Sequence, residues 1–154
     1  YIANGFENWS SQRELVNFDL SGDEVDRYIS FFNHSFVSHG LFYSLIRAQT
    51  LRDCEIIDQI FPGFDWLGFD WAIILYLAGK GKLGRTTCGY TIFGVQGSSG
   101  HADVFKKFNT TTIEWFLPFY RFSKLALSFT RHFTISQRIQ VILRLLKLNL
   151  YANW

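Results

Sequence analysis

An almost uninterrupted apolar run, WAIILYLA at residues 71–78, constrains the fold more than any other feature of the sequence. Asp70 stands immediately before the run and fits a helix N-cap, and Gly79 follows it and fits a helix end. The segment between them is apolar on nearly every side, so we expect a helix that the rest of the chain surrounds. The run is too short to span a bilayer, and the later one at residues 139–150 is interrupted by charge, so no transmembrane helix is predicted.

The remaining elements are predicted from residue spacing and composition. Hydrophobic residues make up 48% of the 154 residues, which is enough for one domain with its own core. Apolar residues at helical spacing predict four more helices: one after the acidic start Ser21–Glu24, and others near residues 41–51, near residues 112–129 with a bend at Pro118, and over residues 136–150.

Two short segments favour strands, Phe36–Val37 and the Thr-, Tyr- and Phe-rich segment Leu83–Phe93. The predicted fold class is therefore α/β, a mostly helical fragment with a few short strands. In the helix near residues 41–51, we expect Leu45, Ile46 and Leu51 to point inward.

Charge is distributed unevenly along the chain. All 13 acidic residues lie within residues 1–114, and residues 115–154 carry none. Six basic residues lie in that second part: Arg121, Lys124, Arg131, Arg138, Arg144 and Lys147. We therefore divide the chain into residues 1–108 and a basic amphipathic helical tail, residues 109–154.

Two interpretations of the tail stay open. Residues 134–154 can lie on an anionic membrane surface, or their apolar face can pack on the domain or on a partner subunit. A nucleic-acid partner is not predicted, because the basic residues are sparse and the tail is too apolar for a solvated phosphate-binding surface.

The two cysteines, Cys54 and Cys88, have no spacing typical of a zinc site. We expect two buried free thiols rather than a disulfide. The chain contains no Met and begins with Tyr1, so it is expected to be a processed or partial sequence.

Three ordered blocks resemble a known enzyme family. Residues 39–42, HGLF, with Arg47 beyond them, are similar to a Y/H-G-L-F-R-R segment. Residues 68–82, GFDWAIILYLAGKGK, are similar to a G-x-D-x-x-L-L-x-x-L-A-L-x-G-R block, and residues 90–99 to an R-R-x-H-x-x-S-x-S block. These are blocks of the family 2 inverting glycosyltransferases, and together they cover about residues 30–100.

The resemblance implies the C-terminal, acceptor-side part of a GT-A fold, which moves a sugar from a nucleotide-sugar donor to a glycan or lipid-linked acceptor with inversion. By position, Asp70 would be the catalytic base that takes the proton of the acceptor hydroxyl. Four residues would bind the acceptor: His39, Gly40, Trp66 and Trp71. Three would lie in the loop on the diphosphate side: Gln96, Ser98 and Ser99.

The resemblance further implies a divalent metal, Mg or Mn, whose ligands lie mostly outside this chain, and a cytoplasmic protein at the inner face of the membrane. The sequence departs from the family at Gly94 and Gln96, where the family block has Arg and His. Gln is a poor metal ligand beside imidazole, which puts the metal contact in doubt.

Each site residue also has a structural interpretation. Under this interpretation Asp70 is only a helix N-cap, a position where Asp is common, and His39 is a half-buried histidine whose hydrogen bonds are made by backbone groups. A core position is favoured for Trp71, whereas Trp66, in a Gly-rich loop, is the better ring for stacking on a sugar. The rival functional prediction is a non-catalytic helical module that binds a membrane or a partner.

Overall fold

Helices account for 74% of the part of the chain that the computed structural model describes, namely residues 19–34, 45–55, 68–84 and 111–152. In chain order they are α1 (Glu24–His34), α2 (Ala48–Arg52, continued by a 3-10 turn at Asp53–Glu55), α3 (Phe69–Lys80), α4 (Thr112–Phe116), α5 (Tyr120–Phe129) and α6 (Ile135–Ala152). α3 packs against α1 and α5, and α6 packs against the same two helices.

The prediction of an α/β fold, and with it the C-terminal part of a GT-A fold, is wrong. The described ranges contain no strand and form an all-helical fold. Leu83, where a strand was predicted to begin, makes only an isolated antiparallel bridge to Leu20, with N–O distances of 2.9 and 3.1 Å. Residues 85–93 and Phe36–Val37 lie outside the described residues. Strand propensity is a weak guide because it largely reflects packing against neighbouring strands. In the described ranges the packed elements are helices, so Leu83 has no neighbouring strand there.

The buried helix predicted from the apolar run is confirmed as α3. Seven of its side chains are buried: Trp71, Ala72, Ile74, Leu75, Tyr76, Leu77 and Ala78. Both predicted ends are wrong, because the N-cap is Gly68 and the C-cap is Gly81. Gly68 has φ +87°, and a Cβ there would lie 3.2 Å from the ring of Phe119. A left-handed backbone in close contact with a ring favours glycine at position 68, and the helix therefore begins before Asp70.

Close approach of α1 to α3 depends on two residues. A Cβ at Gly79 would lie 2.7 Å from the Tyr28 hydroxyl. Because glycine has no side chain, the Tyr28 hydroxyl can approach the backbone of α3 at this position. Arg27, also buried, donates from Nε to the Ala78 carbonyl at 2.5 Å and from Nη1 to the Gly22 carbonyl at 2.9 Å. The last carbonyls of a helix lack partners within it, so Arg27 completes the C-terminal end of α3 and suits its dipole.

Phe122 of α5 lies at the centre of the aromatic core and is fully buried. Its ring centroid is 6.2 Å from those of Phe31 and Phe32 and 6.0 Å from that of Trp71. These contacts join α1, α3 and α5 through one side chain.

The bend predicted at Pro118 is confirmed, since α4 ends at Phe116 and α5 begins at Tyr120. Thr111 and Glu114 form a capping box at the start of α4, and buried Glu114 pairs with Arg121 Nε at 2.5 Å. The inward positions predicted for Leu45 and Leu51 are wrong, because these side chains are 106% and 45% exposed. α2 is only five residues long and buries none of its side chains, whereas Ile46 packs partly on the core.

The last predicted helix is confirmed as α6. It buries Val141, Leu145, Leu148 and Asn149. Asn149 Oδ1 accepts the backbone N–H of Phe119 at 2.8 Å, and Nδ2 donates to Ser123 Oγ at 3.0 Å and to the Leu145 carbonyl at 2.9 Å. The described core thus draws residues from both sides of the proposed boundary at residues 108 and 109.

Candidate functional site

Of the predicted enzymatic site, the structure places Asp70 and Trp71. Asp70 is half-buried in the first turn of α3, and its Oδ1 accepts the backbone N–H of Trp71 at 3.0 Å. Trp71 is 7% exposed and its ring stacks on Phe119 with centroids 4.9 Å apart, in agreement with a core position. The other predicted site residues lie outside the described residues: His39, Gly40, Trp66, Gln96, Ser98 and Ser99.

Within the described ranges, no three His, Cys, Asp or Glu side chains are grouped so that they could hold a metal ion. The Mg or Mn ion implied by the family resemblance was expected to find its ligands mostly outside this chain. It therefore stays a prediction about a longer protein.

The most distinctive surface of the described structure is a second apolar face of α6. Six side chains, here called the α6 stripe, form it: Ile135, Ile139, Ile142, Leu143, Leu146 and Leu150. Their exposed fractions run from 38% at Ile142 to 80% at Ile135. At 3.6 residues per turn they fall within an arc of about 100° on the helix, beside the arc that packs on the core.

Basic side chains border the stripe on both sides. By the same helical geometry, Arg138 lies next to one edge and Lys147 next to the other, and both are exposed. The sequence of α6 contains no Asp or Glu. The stripe is therefore an exposed apolar surface between two positive borders.

α6 does not meet the requirements for a membrane-spanning helix, and neither does any other helix in the described ranges. By helical geometry, Arg144 and Lys147 lie outside the arc of buried side chains, whereas the exposed Arg138 lies near the N-terminal end of α6 on the same side as that arc.

A second apolar surface lies near the C-terminal half of α6. Three side chains of α4 are exposed by 44% to 73%: Ile113, Trp115 and Phe116. Trp115 and Phe116 shortly precede Phe119, which is hydrogen-bonded to Asn149, so they lie at the same end of α6 as Leu146 and Leu150. Exposed Trp is typical of side chains at a membrane–water interface.

The sequence predicts an amphipathic helix over residues 136–150 but does not separate its buried apolar face from its exposed one. The signal was present, because the apolar residues between Ile135 and Leu150 cover more of the helix circumference than one packing face requires. Deciding which arc faces the core required the positions of α1 and α5.

Cys54 is a buried free thiol, as predicted, and its Sγ lies 3.5 Å from the Thr50 carbonyl oxygen. Burial, and secondarily the charge of Asp53, raises the pKa of Cys54 to about 11, while Lys80 acts in the opposite direction. Cys88 lies outside the described residues.

The raised pKa predicts a slowly reacting thiol. In a Cys88→Ser background, alkylation of Cys54 by iodoacetamide at pH 8 should be roughly a hundredfold slower in the folded than in the urea-unfolded chain, because the thiolate is the reacting form. The rate in the folded chain should rise as the pH increases toward 11. The free energy of unfolding should fall over the same pH range, because the thiolate is less favourable in the buried site than in the unfolded chain. Equal rates in the two states would contradict this environment.

No protein-family model, curated protein or solved structure matches this chain.

Proposed function

We propose that this chain is a peripheral membrane-binding helical module that docks through the α6 stripe onto an anionic membrane surface. The observation that carries the proposal is the row of six exposed aliphatic side chains at helical spacing, with Arg138 and Lys147 on its borders. Such a helix lies in the plane of the interface, with its apolar side among the acyl chains and its cations among the headgroups.

The energetics suit reversible docking. Fully burying a leucine or isoleucine contributes about 1.5–3 kcal/mol, and half-exposed side chains contribute about half of that. Each basic residue near an anionic leaflet adds about 1 kcal/mol. Several such contributions together offset the loss of freedom on binding without requiring a helix that crosses the bilayer.

Charge favours a membrane over a second copy of the chain as the occupant of the stripe. Residues 115–154 carry six basic and no acidic side chains. Pairing two stripes would bring the basic borders of one copy close to those of the other, which is unfavourable. An anionic lipid surface complements both borders at once, and anionic lipids are typical of the cytoplasmic leaflet predicted above.

The glycosyltransferase hypothesis stays an untested prediction, in which Asp70 would act on a glycan or lipid-linked acceptor and a nucleotide-sugar donor. Its expected fold was wrong for the described residues. Membrane docking does not depend on this hypothesis, since it uses a different part of the structure.

The proposal is tested by flotation of the full chain with vesicles of phosphatidylserine and phosphatidylcholine, compared with phosphatidylcholine alone. We expect binding to the anionic vesicles that weakens as salt increases, because salt screens the basic borders. The double variant Leu143→Gln/Leu146→Gln should weaken partitioning about thirtyfold, at about 1 kcal/mol for each half-exposed leucine.

Leu51→Gln is the matched control, because Leu51 is equally apolar and 45% exposed but lies on α2. It should bind vesicles as the unchanged chain does. If the double variant partitions normally, the stripe is not the docking surface. If the unchanged chain does not bind vesicles but forms dimers, and the double variant does not form them, a second copy of the chain covers the stripe. That result contradicts the proposal.

A further inference from the structure

A cleft of about 350 Å³ lies between the C-terminal end of α1 and the C-terminal half of α6. Its lining residues are Phe32, Asn33, Arg144, Lys147, Leu148 and Tyr151. By helical geometry, Arg144 lies nearly opposite the α6 stripe, whereas Lys147 lies at the border between the cleft and the stripe. The volume is at the lower end of the range of about 300–1,000 Å³ for small-molecule sites.

The polar part of the cleft is positively charged. Arg144 Nε donates to Asn33 Oδ1 at 3.0 Å and Nη1 donates to the Gln140 carbonyl at 3.4 Å, which holds the guanidinium in place. Lys147 Nζ lies 5.4 Å from the centre of the Tyr151 ring. Among the described residues, neither cation has a carboxylate partner, and no lining residue is acidic.

The rest of the cleft is apolar. Phe32 and Leu148 are almost fully buried, so they form a firm wall, and the Tyr151 ring is 62% exposed at the rim. An oxyanion beside Arg144 and Lys147 would therefore stand next to surfaces suited to an apolar or aromatic group.

We propose that this cleft binds a small organic phosphate monoester whose organic part is aromatic or short and aliphatic. The two hydrogen bonds of Arg144 to described residues use Nε and Nη1, which leaves Nη2 to donate to a ligand, and a guanidinium with an ammonium in the same cleft matches a phosphate dianion. The organic part would pack on Phe32 and Leu148. The site is centred on Arg144, which lies away from the α6 stripe, and it shares Lys147 with one border of the stripe.

The test is isothermal titration of the full chain, at low ionic strength, with phenyl phosphate, inorganic phosphate and phenol. Phenyl phosphate should bind saturably with a stoichiometry of one, and at least tenfold more tightly than either inorganic phosphate or phenol. Arg144→Gln and Lys147→Gln should each weaken phenyl phosphate binding at least tenfold. Lys124→Gln, which removes an exposed charge from α5, should change it less than twofold.

If Arg144→Gln loses its helical circular dichroism, Lys147→Gln decides the matter alone, since Lys147 is exposed and its recorded contact is the Tyr151 ring. Absence of saturable binding, or equal affinity in Lys147→Gln and Lys124→Gln, overturns the proposal. Binding of inorganic phosphate as tight as that of phenyl phosphate also overturns it, because the apolar wall would then make no contribution. None of these outcomes depends on whether the chain binds vesicles.

Discussion

Phe122→Ala is expected to lower the free energy of unfolding by about 3–5 kcal/mol, the range typical of a fully buried Phe replaced by Ala. The ring contacts Phe31 and Phe32 of α1 and Trp71 of α3, so truncation leaves a cavity where α1, α3 and α5 meet. The surrounding rings are themselves buried and cannot collapse freely into the space. Urea denaturation followed by circular dichroism measures the change.

Phe116→Ala is the matched control, because it makes the same chemical change at a side chain that is 73% exposed. It should change the free energy of unfolding by no more than about 0.5 kcal/mol, as most surface substitutions do. Comparable losses from the two variants would show that Phe122 is not at the centre of the core. A small loss from both would show that the helices are held together elsewhere.

The helices were predictable because their evidence is local. Acidic residues precede α1, an apolar run fills α3, Pro118 separates α4 from α5, and α6 repeats apolar residues at helical spacing. The ends of α3 were not predictable from its own residues. Gly68 is the N-cap with the ring of Phe119 beside it, and Arg27 reaches the last turn from another helix.

The fold class was mistaken for a related reason. Three short apolar and Gly-containing blocks were interpreted together as part of a sheet-based enzyme, but a block such as residues 69–80 is equally suited to a helix buried among helices. Leu83 shows the limit of local propensity, because a strand needs neighbours and in the described structure it pairs only with Leu20.

The surfaces that now carry the functional proposals depend on tertiary structure. The sequence shows that α6 is apolar and basic, but it does not show that Leu145 is buried while Leu146 is 49% exposed. The cleft also requires α1 beside α6, because Asn33 and Arg144 are far apart in sequence and meet only in the folded chain. Most of the predicted enzymatic site lies outside the described residues, so its geometry remains a prediction.

Asn149→Leu should lower the free energy of unfolding by about 2–3 kcal/mol, although it places an apolar residue on a largely apolar helix face. The side chain is 3% exposed and accepts the N–H of Phe119, the N-cap residue of α5. Leucine has a similar volume but removes this acceptor of the Phe119 N–H, and it also removes the bonds to Ser123 and Leu145.

Ser123→Ala separates these contributions, because it removes one acceptor of Asn149 and leaves the bond to Phe119 intact. We expect it to cost about 0.5–1.5 kcal/mol, clearly less than Asn149→Leu. Native-state hydrogen exchange should show faster exchange at the start of α5 in Asn149→Leu, because that is where the lost acceptor acts. Because Asn149 of α6 is hydrogen-bonded to Phe119 and Ser123, we expect it to help set how α6 is rotated against α5, and therefore which side chains form the exposed stripe. If Asn149→Leu were as stable as the unchanged chain, packing alone would set that rotation, and the stripe would not depend on this buried amide.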